Sequence, residues 1–209
     1  MECVLCASPE VTPIASDGAR RYMQCCGCGL VFVPREECPG PEEQRARYEL
    51  HDNALDNDEY MSYLGEVAGE LSRIPLEHPS VLDFGSGPQQ ALAHVLEEKG
   101  IACASYDPLY SIGADALDRM YDVVVACESV EHLHDLAGDI RRIKRLLNPG
   151  GHVLVRTELY NEHTDFETWW YAKDPTHINF FRLTTILRLA ERLDKGLFYT
   201  DARSIAILG

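Results

Sequence analysis

With 209 residues, of which 45% are hydrophobic, the chain is long enough to bury the core of one full domain and a small additional unit. Its formal net charge of −15 disfavours DNA, RNA and anionic membranes as partners, because binding to phosphates depends on Lys and Arg. The sequence has no apolar run long enough for a membrane span and no signal-peptide pattern at its start, so we expect a cytoplasmic protein.

Cysteines dominate the first part of the chain, where six of the eight lie within the first 38 residues. In the cytoplasm they are better explained as metal ligands and buried thiols than as disulfides. Four of them form two Cys-x-x-Cys pairs, separated by a sequence typical of a hairpin. The pairs are Cys3 with Cys6 and Cys25 with Cys28. Two such pairs can present four thiolates to one tetrahedral Zn²⁺ with no position left open for catalysis, so we predict a structural zinc ribbon over residues 1–38.

Two further cysteines leave the ligand set open. Cys26 directly follows Cys25, but Cys26 and Cys28 would form an unusually tight pair, so the spacing favours Cys25 as a ligand. Cys38 stands apart from both pairs, and its position is as consistent with an exposed thiol as with a metal ligand.

A linker and a helical segment follow the cysteine-rich part. Three prolines and a glycine between residues 34 and 41 mark the linker. Apolar residues then recur at helical spacing up to Pro75, which predicts a helical run over residues 42–74. We assign residues 39–79 as a linker and helical lead-in, and residues 80–209 as the main domain.

Strands and helices alternate through the main domain. The predicted strands are 81–84, 101–106, 121–127 and 152–157, with one or two more between residues 197 and 208. Apolar stripes predict helices around 91–96, 136–147 and 183–193, the first of them starting at Pro88. This alternation is typical of an α/β fold with a doubly wound, mostly parallel sheet. Only residues 109–120 connect the second predicted strand to the third, so one strand–helix unit is trimmed.

Candidate ligand-binding residues follow the carboxyl ends of these strands, where ligands bind on such sheets. Gly85 and Gly87 allow a tight turn after the first strand, and Asp107 follows the second strand about twenty residues later. A carboxylate at that place can accept two hydrogen bonds from a ribose diol. Glu131 and His132 follow the third strand. The pattern predicts a nucleotide-like ligand at this edge of the sheet.

Four segments of the main domain form an ordered set of motifs. They read Val-Leu-Asp-Phe-Gly-Ser-Gly-Pro from residue 81, Ser-Tyr-Asp-Pro from 105, Tyr-Asp-Val-Val-Val-Ala-Cys-Glu-Ser-Val-Glu-His-Leu from 121 and Leu-Leu-Asn-Pro-Gly-Gly-His-Val-Leu-Val from 146. In this order they resemble the motifs of class I S-adenosylmethionine-dependent methyltransferases. The front end resembles the zinc ribbons that precede some members of that family. Residues 169–181, the late aromatic segment, look like the late segment of the same subgroup.

The resemblance implies how the glycine turn meets the cofactor S-adenosylmethionine. Gly85, Ser86 and Gly87 would pass under its methionine part, and Asp83 would reach its ammonium group directly or through water. The chain departs from the family pattern at Gln89, which replaces the usual third glycine of the first motif.

The other cofactor positions are implied in the same way. Asp107 would hold the ribose hydroxyls, and Pro108 and Leu109 would flank the adenine. Cys127 and Glu128 would border the sulfonium, next to the methyl group that is transferred.

The late aromatic segment supplies the catalytic candidates. We expect Trp169, Tyr171 and Asp174 to form a substrate wall around His177, which would act as the general base. His132 is the second candidate for the base. Each histidine also has a structural interpretation, because His132 can support a loop and His177 can be a buried histidine with satisfied hydrogen bonds.

The sequence therefore predicts a methyltransferase that acts on a small-molecule acceptor by O- or C-methylation, with S-adenosylmethionine and a structural Zn²⁺. One alternative is an NAD-dependent dehydrogenase, although its fingerprint requires a third glycine where Gln90 stands. The other is a non-catalytic module whose ribbon binds a partner, although the complete set of cofactor positions argues against it. The acceptor and the oligomeric state stay open.

Overall fold

The structure is a computed structural model that describes residues 1–50 and 54–209. The strands in chain order are β1 (Val11–Ser16), β2 (Arg21–Cys25), β3 (Val31–Phe32), β4 (Val81–Phe84), β5 (Cys103–Tyr106), β6 (Tyr121–Cys127), β7 (Leu147–Arg156), β8 (Asn179–Phe180), β9 (Leu197–Thr200) and β10 (Ile205–Leu208). The α-helices are α1 (Pro41–Tyr48), α2 (Asp58–Glu70), α3 (Ala91–Glu98), α4 (Leu136–Leu146) and α5 (Leu183–Arg192). Within the described residues, no helix combines the length and the apolar character that crossing a membrane requires.

The larger of the two sheets has six strands in the order β5-β4-β6-β7-β10-β9. The first four run parallel to one another, and β10 and β9 are antiparallel to their neighbours. Buried residues of α2 and α3 pack in the core on one face, and those of α4 and α5 pack in the core on the other. The predicted α/β fold with a doubly wound, mostly parallel sheet is confirmed.

The central strand β6 contributes to both of these cores. Val123 and Val125 pack with α2 and α3, whereas Val124 and Ala126 pack with α4 and α5. Successive side chains of a strand point to opposite faces, so an unbroken apolar run is what a central strand between two helical layers requires. The burial of β6 therefore places the residues that follow it, 128–132, at the middle of the carboxyl edge of the sheet.

The sheet ends at β5 on one side. Residues 109–120, all of which are described, contain the 3₁₀ helix Ala114–Asp118 and no strand, so the trimmed strand–helix unit is confirmed. Gly113 makes the short connection possible, with φ of +63° and a position where a Cβ would lie 1.8 Å from the carbonyl oxygen of Ser105.

The helical lead-in differs from the single run predicted over residues 42–74. It contains two α-helices, α1 and α2, followed by a short 3₁₀ turn. Asn57 explains the separate start of α2, because its side-chain oxygen caps the helix by accepting two backbone N–H groups at 3.1 Å. Of the residues between the two helices, 51–53 lie outside the described part of the chain.

Two predicted boundaries in the main domain were wrong by three residues or more, and β5 begins two residues later than predicted. The helix expected to start at Pro88 begins at Ala91, because Gln90 has φ of +51° and cannot continue a helix. The strand expected to start at residue 152 begins at Leu147, which pairs with Tyr121 before an irregularity in the register. The Asn-Pro-Gly-Gly turn is therefore absorbed into β7.

The smaller sheet has the order β1-β2-β3-β8 and contains the predicted hairpin. Its fourth strand, β8, comes from the late aromatic segment and pairs antiparallel with β3. Met23 and Phe32 pack in the core of α4 and α5, whereas Tyr22 and Val31 pack with the late aromatic segment. The cysteine-rich part is thus joined to the rest of the protein on both faces of its sheet.

Candidate active site

A glycine turn follows β4 at the carboxyl edge of the larger sheet. Gly85 has φ of +88°, and a Cβ there would lie 2.5 Å from the Cβ of Ser129, so only glycine fits. The backbone N–H groups of Gly85 and Ser86 donate to the carbonyl oxygen of Tyr106 at 2.8 and 3.2 Å. Gly87 has φ of +65° and no atom within 4 Å of the position of a Cβ, so a ligand can approach its backbone closely.

Asp107 follows β5 and is joined directly to this turn. Its Oδ2 accepts the N–H of Gly87 at 2.9 Å, and its Oδ1 accepts the N–H groups of Leu109 and Tyr110 at 2.9 and 3.2 Å. The carboxylate is buried, and three backbone donors fix its orientation. Because each carboxylate oxygen has two acceptor positions, Oδ2 can still accept a hydroxyl of a bound ligand.

Two buried polar groups beside the glycine turn fit a cationic ligand. Asp83 is 3% exposed, and its burial, followed by the negative charge of Asp107, raises the pKa of its carboxyl to about 7. An ammonium group against this carboxyl would favour the charged form and lower that pKa. The buried Oγ of Ser129 has no hydrogen-bond partner among the described residues. This donor and acceptor set fits the amino-acid end of S-adenosylmethionine.

Cys127 and Glu128 follow at the end of β6. Burial raises the pKa of Cys127 well above its usual value, so its thiol is neutral. Oε1 of Glu128 accepts the hydroxyl of Tyr63 at 2.7 Å and pairs with Arg156 at 3.1 Å. Burial, and then the charge of Glu131, raises the pKa of Glu128 to about 7. Sequence reasoning missed Tyr63 and Arg156, because one belongs to the apolar pattern of α2 and the other to the pattern of β7.

Tyr171 connects the two carboxyl groups that follow β6. Its hydroxyl lies 2.8 Å from Oε1 of Glu131, 3.1 Å from Oε2 of Glu128 and 3.0 Å from Oγ1 of Thr157. Burial raises the pKa of Tyr171 well above its usual value, so the phenol stays protonated. Its hydroxyl therefore donates a hydrogen bond to a carboxyl group. Glu131 is fully buried, and its Oε2 has no partner among the described residues. The structure thus makes Tyr171 a buried hydrogen-bonding group within the predicted wall.

His132 and His177 lie against each other, with ring centroids 4.7 Å apart. Nδ1 of His132 lies 2.9 Å from the carbonyl oxygen of Thr176, and Nδ1 of His177 lies 2.7 Å from that of Tyr171. A carbonyl oxygen only accepts, so each Nδ1 carries a proton, and in the neutral form of either ring Nε2 has the lone pair. Burial lowers the pKa of His132, which favours its neutral form. One ring nitrogen of each histidine and a carboxylate oxygen of Glu131 lie within 4.8 Å of one another.

Asp174, which is expected in the substrate wall, holds the turn that precedes His177. Its Oδ1 accepts the N–H and the hydroxyl of Thr176 at 2.9 and 2.6 Å, and its Oδ2 pairs with Arg47 of α1 at 2.9 Å. Burial opposes ionisation, but the hydrogen bonds from Thr176 and the positive charge of Arg47 outweigh it and lower the pKa of Asp174. Trp169 packs against Phe180, whereas Trp170 is largely exposed.

The two predicted cysteine pairs meet at one point of the ribbon. Four Sγ atoms all lie within 4.8 Å of one another, those of Cys3, Cys6, Cys25 and Cys28. The Sγ atoms of Cys3 and Cys28 are 3.6 Å apart, as are those of Cys6 and Cys25. A tetrahedral Zn²⁺ with bonds of about 2.3 Å separates its sulfur ligands by about 3.8 Å, so the four thiols fit this ion. Cys26 is exposed, and the thiol of Cys38 lies near the carbonyl oxygens of residues 33 and 34.

The fold and the site together define a class I methyltransferase. A family model described as a methyltransferase domain matches residues 57–194, which is more than half of the chain, so the chain belongs to this family. The match runs from the start of α2 to the end of α5 and contains every candidate cofactor residue and both histidines. It decides against the dehydrogenase alternative.

The sequence similarity to a curated relative covers a part of this chain, whereas the fold similarity to solved structures covers most of it. The ubiquinone biosynthesis O-methyltransferase of Serratia proteamaculans (strain 568) is 39% identical over 77 residues, which are 36% of this chain and 32% of that protein. The chain thus matches about a third of that curated relative's length. The Burkholderia thailandensis 1,6-didemethyltoxoflavin-N1-methyltransferase has a TM-score of 0.55 at 15% identity and covers 94% of this chain and 96% of its own. The mitomycin 7-O-methyltransferase MmcR has a TM-score of 0.59 at 16% identity over 80% of this chain and 58% of its own.

Proposed function

We propose that the protein transfers the methyl group of S-adenosylmethionine to an oxygen or carbon atom of a small-molecule acceptor. The observation that carries this proposal is the contact of the buried His177 with the half-buried His132, just beyond the strand end that bears the candidate cofactor residues. A positioned imidazole is suited to removing a proton near neutral pH. The curated relative named above is an O-methyltransferase, which supports a hydroxyl as one acceptor group.

The geometry of the glycine turn supports the cofactor residues that the family resemblance implies. We assign the ammonium group to Asp83 and the ribose hydroxyls to Asp107, with the turn of Gly85, Ser86 and Gly87 beneath the methionine part. Pro108 flanks the adenine, and Cys127 and Glu128 border the sulfur. When bound, S-adenosylmethionine supplies a methyl group on a positively charged sulfur, and the sulfur keeps the bonding electron pair on transfer.

In this proposal a histidine removes the proton of the acceptor. Nε2 of His177 takes the proton from the O–H or C–H of the acceptor, and the electron pair left on the acceptor forms the new bond to the methyl group. The carbonyl of Tyr171 holds the ring of His177 through Nδ1, and in this proposal Nε2 acts as the base. His132 is the second candidate for this role, and its Nε2 lies 3.8 Å from Oε1 of Glu131, which accepts the hydroxyl of Tyr171.

Zinc has a separate, structural role in this proposal. Cys3, Cys6, Cys25 and Cys28 bind one Zn²⁺ and hold the two turns of the ribbon together. Four thiolate ligands complete a tetrahedral coordination shell, so the ion does not contact the acceptor.

A screen of small-molecule acceptors with methyl-labelled S-adenosylmethionine tests the function. With an acceptor in hand, we expect His177→Ala to lower turnover by about 10²–10⁴-fold at nearly unchanged cofactor affinity. His177→Asn is the matched variant, since its amide can replace the Nδ1–H that bonds to Tyr171 but cannot act as a base.

The two variants separate catalysis from anchoring. A loss of turnover in both, with unchanged thermal stability for His177→Asn, supports His177 as the base. Recovery of turnover in His177→Asn would assign His177 to anchoring the loop. If cofactor binds but no acceptor is methylated, the non-catalytic module becomes the better explanation.

A further inference from the structure

Among the residues that the structure describes outside the candidate active site, the side chain with the most hydrogen bonds belongs to the ribbon. Arg20 lies at the end of the β1–β2 turn, only 8% exposed. Its guanidinium donates to four backbone carbonyl oxygens of the late aromatic segment. These belong to Ala172 at 2.6 Å, Asp174 at 3.2 Å, Pro175 at 3.1 Å and His177 at 3.2 Å. One ribbon residue thus contacts the backbone on both sides of the turn that leads to His177.

The arrangement suits arginine specifically. Buried carbonyl oxygens need donors, and this turn is too irregular to satisfy them with a regular ladder. A planar guanidinium offers five N–H donors in a fixed fork, whereas an ammonium offers three on a flexible stem. Nη2 also donates to the hydroxyl of Tyr22 at 2.9 Å, and Nε donates to Asp17 at 3.2 Å, so the buried charge has an anionic partner. These six acceptors exceed the five N–H groups because the two N–H groups of Nη1 face three carbonyl oxygens.

The turn held in this way supplies the groups that orient both histidines. The carbonyl of Thr176 accepts Nδ1–H of His132, and the carbonyl of Tyr171 accepts Nδ1–H of His177. Both carbonyls lie within or directly next to the stretch 172–177 that Arg20 binds. A shift of this stretch would therefore move both rings at once.

We propose that Arg20 is a positioning residue for the acceptor site: from the ribbon, it fixes residues 171–177 so that Nε2 of His132 and His177 face the acceptor. The proposal rests on the proposed role of these histidines in the transfer. It gives the ribbon a part in turnover, although the ribbon supplies none of the groups assigned to the cofactor.

Substitution of Arg20 and of its neighbour Arg21 tests this inference. Arg21 is the first residue of β2 and follows Arg20 directly, but it is half exposed and pairs with Glu36 and Glu37 at the surface. We expect Arg20→Lys to lower kcat by about 10–100-fold, as displacement of a catalytic group by about 1 Å can do, with zinc content and affinity for S-adenosylhomocysteine unchanged. Arg21→Lys should match the wild type in all of these. Turnover of Arg20→Lys equal to that of Arg21→Lys would overturn the proposal.

A measurement without any acceptor separates this inference from the proposed function. Imidazole ¹⁵N spectra should show the Nδ1–H form for both histidines in the wild type and in Arg21→Lys, and a mixture of tautomers in Arg20→Lys. Unchanged spectra in Arg20→Lys would contradict the positioning role even if methyl transfer is established. A changed spectrum in a protein that methylates nothing would support the positioning while the proposed function fails.

A chemical rescue covers the case in which Arg20→Lys is unstable. In Arg20→Ala, millimolar guanidinium ion, far below denaturing concentrations, should restore the ring signals and part of kcat. Urea at the same concentration should not, because it lacks the charge. Equal effects of guanidinium and urea would count against the role of Arg20.

Discussion

The proposed site has two parts that are assembled in different ways: a cofactor end, with the glycine turn and Asp107, and an acceptor end, with His132 and His177. The cofactor end uses residues that directly follow neighbouring parallel strands, and its main contacts join the turns after β4 and β5, as between Gly87 and Asp107. The acceptor end joins distant parts of the chain. Arg20 meets residues 172–177, and Arg47 of α1 meets Asp174 across 127 positions of sequence.

Because of this difference, we expect the two ends to tolerate different substitutions. A parallel sheet brings the carboxyl ends of its strands together whatever lies elsewhere, so the cofactor end depends on short local motifs. The acceptor end needs the ribbon, the lead-in and the late aromatic segment in place simultaneously. Damage to the ribbon should therefore affect turnover while cofactor binding persists.

Removal of a zinc ligand is expected to give the largest effect, with turnover lost and cofactor binding retained. Cys25→Ser should abolish stoichiometric zinc binding, unfold the ribbon and reduce turnover to background, because β3 and β8 pair in one sheet. Metal analysis, turnover and titration with S-adenosylhomocysteine would measure the three effects, with cofactor affinity retained. Cys26→Ser is the control, since this exposed thiol should leave all three unchanged. Loss of zinc in Cys26→Ser alone would show that the ligand assignment is wrong.

Asp107→Ala should have the converse effect on the two ends. Loss of charge-assisted hydrogen bonds worth about 1.5–3 kcal/mol each predicts cofactor binding weaker by more than about tenfold. Turnover at saturating cofactor should change much less, because the histidines are not in contact with this carboxylate. Asp118→Ala, in the exposed 3₁₀ helix after β5, is the control in the same calorimetric titration. Equal affinities in the two variants would remove Asp107 from the cofactor site.

The smallest effect concerns pH and sharpens the view of the cofactor end. Asp83 has a raised pKa of about 7, so it is protonated below that pH and must lose its proton to bind an ammonium group. Affinity for S-adenosylhomocysteine should therefore fall by up to about tenfold for each pH unit below 7 and level off above it. Asp83→Asn should bind more weakly and lose this dependence. Glu128, whose pKa is also about 7, is kept in the variant, so the difference between the two profiles isolates Asp83.

Local signals in the sequence were sufficient to predict the larger sheet and the candidate cofactor residues at its carboxyl edge. Strand β6 was predicted from its apolar run, the trimmed unit from the short stretch 109–120, and the glycine turn and Asp107 from their spacing. Each of these signals is local, because strand burial and tight turns impose residue types on consecutive positions. The two Cys-x-x-Cys pairs were readable for the same reason, since metal ligands within a turn have fixed spacing.

Only the tertiary structure decided how the acceptor end is built. Nothing near Arg20 in the sequence indicates a partner more than 150 positions away, and the pairing of β3 with β8 depends on both segments packing against shared cores. The start of α2 depended on a cap at Asn57 that apolar periodicity does not report. Hydrogen bonds between distant segments form only after the hydrophobic cores bring them together, so their partners leave no periodic trace in the sequence.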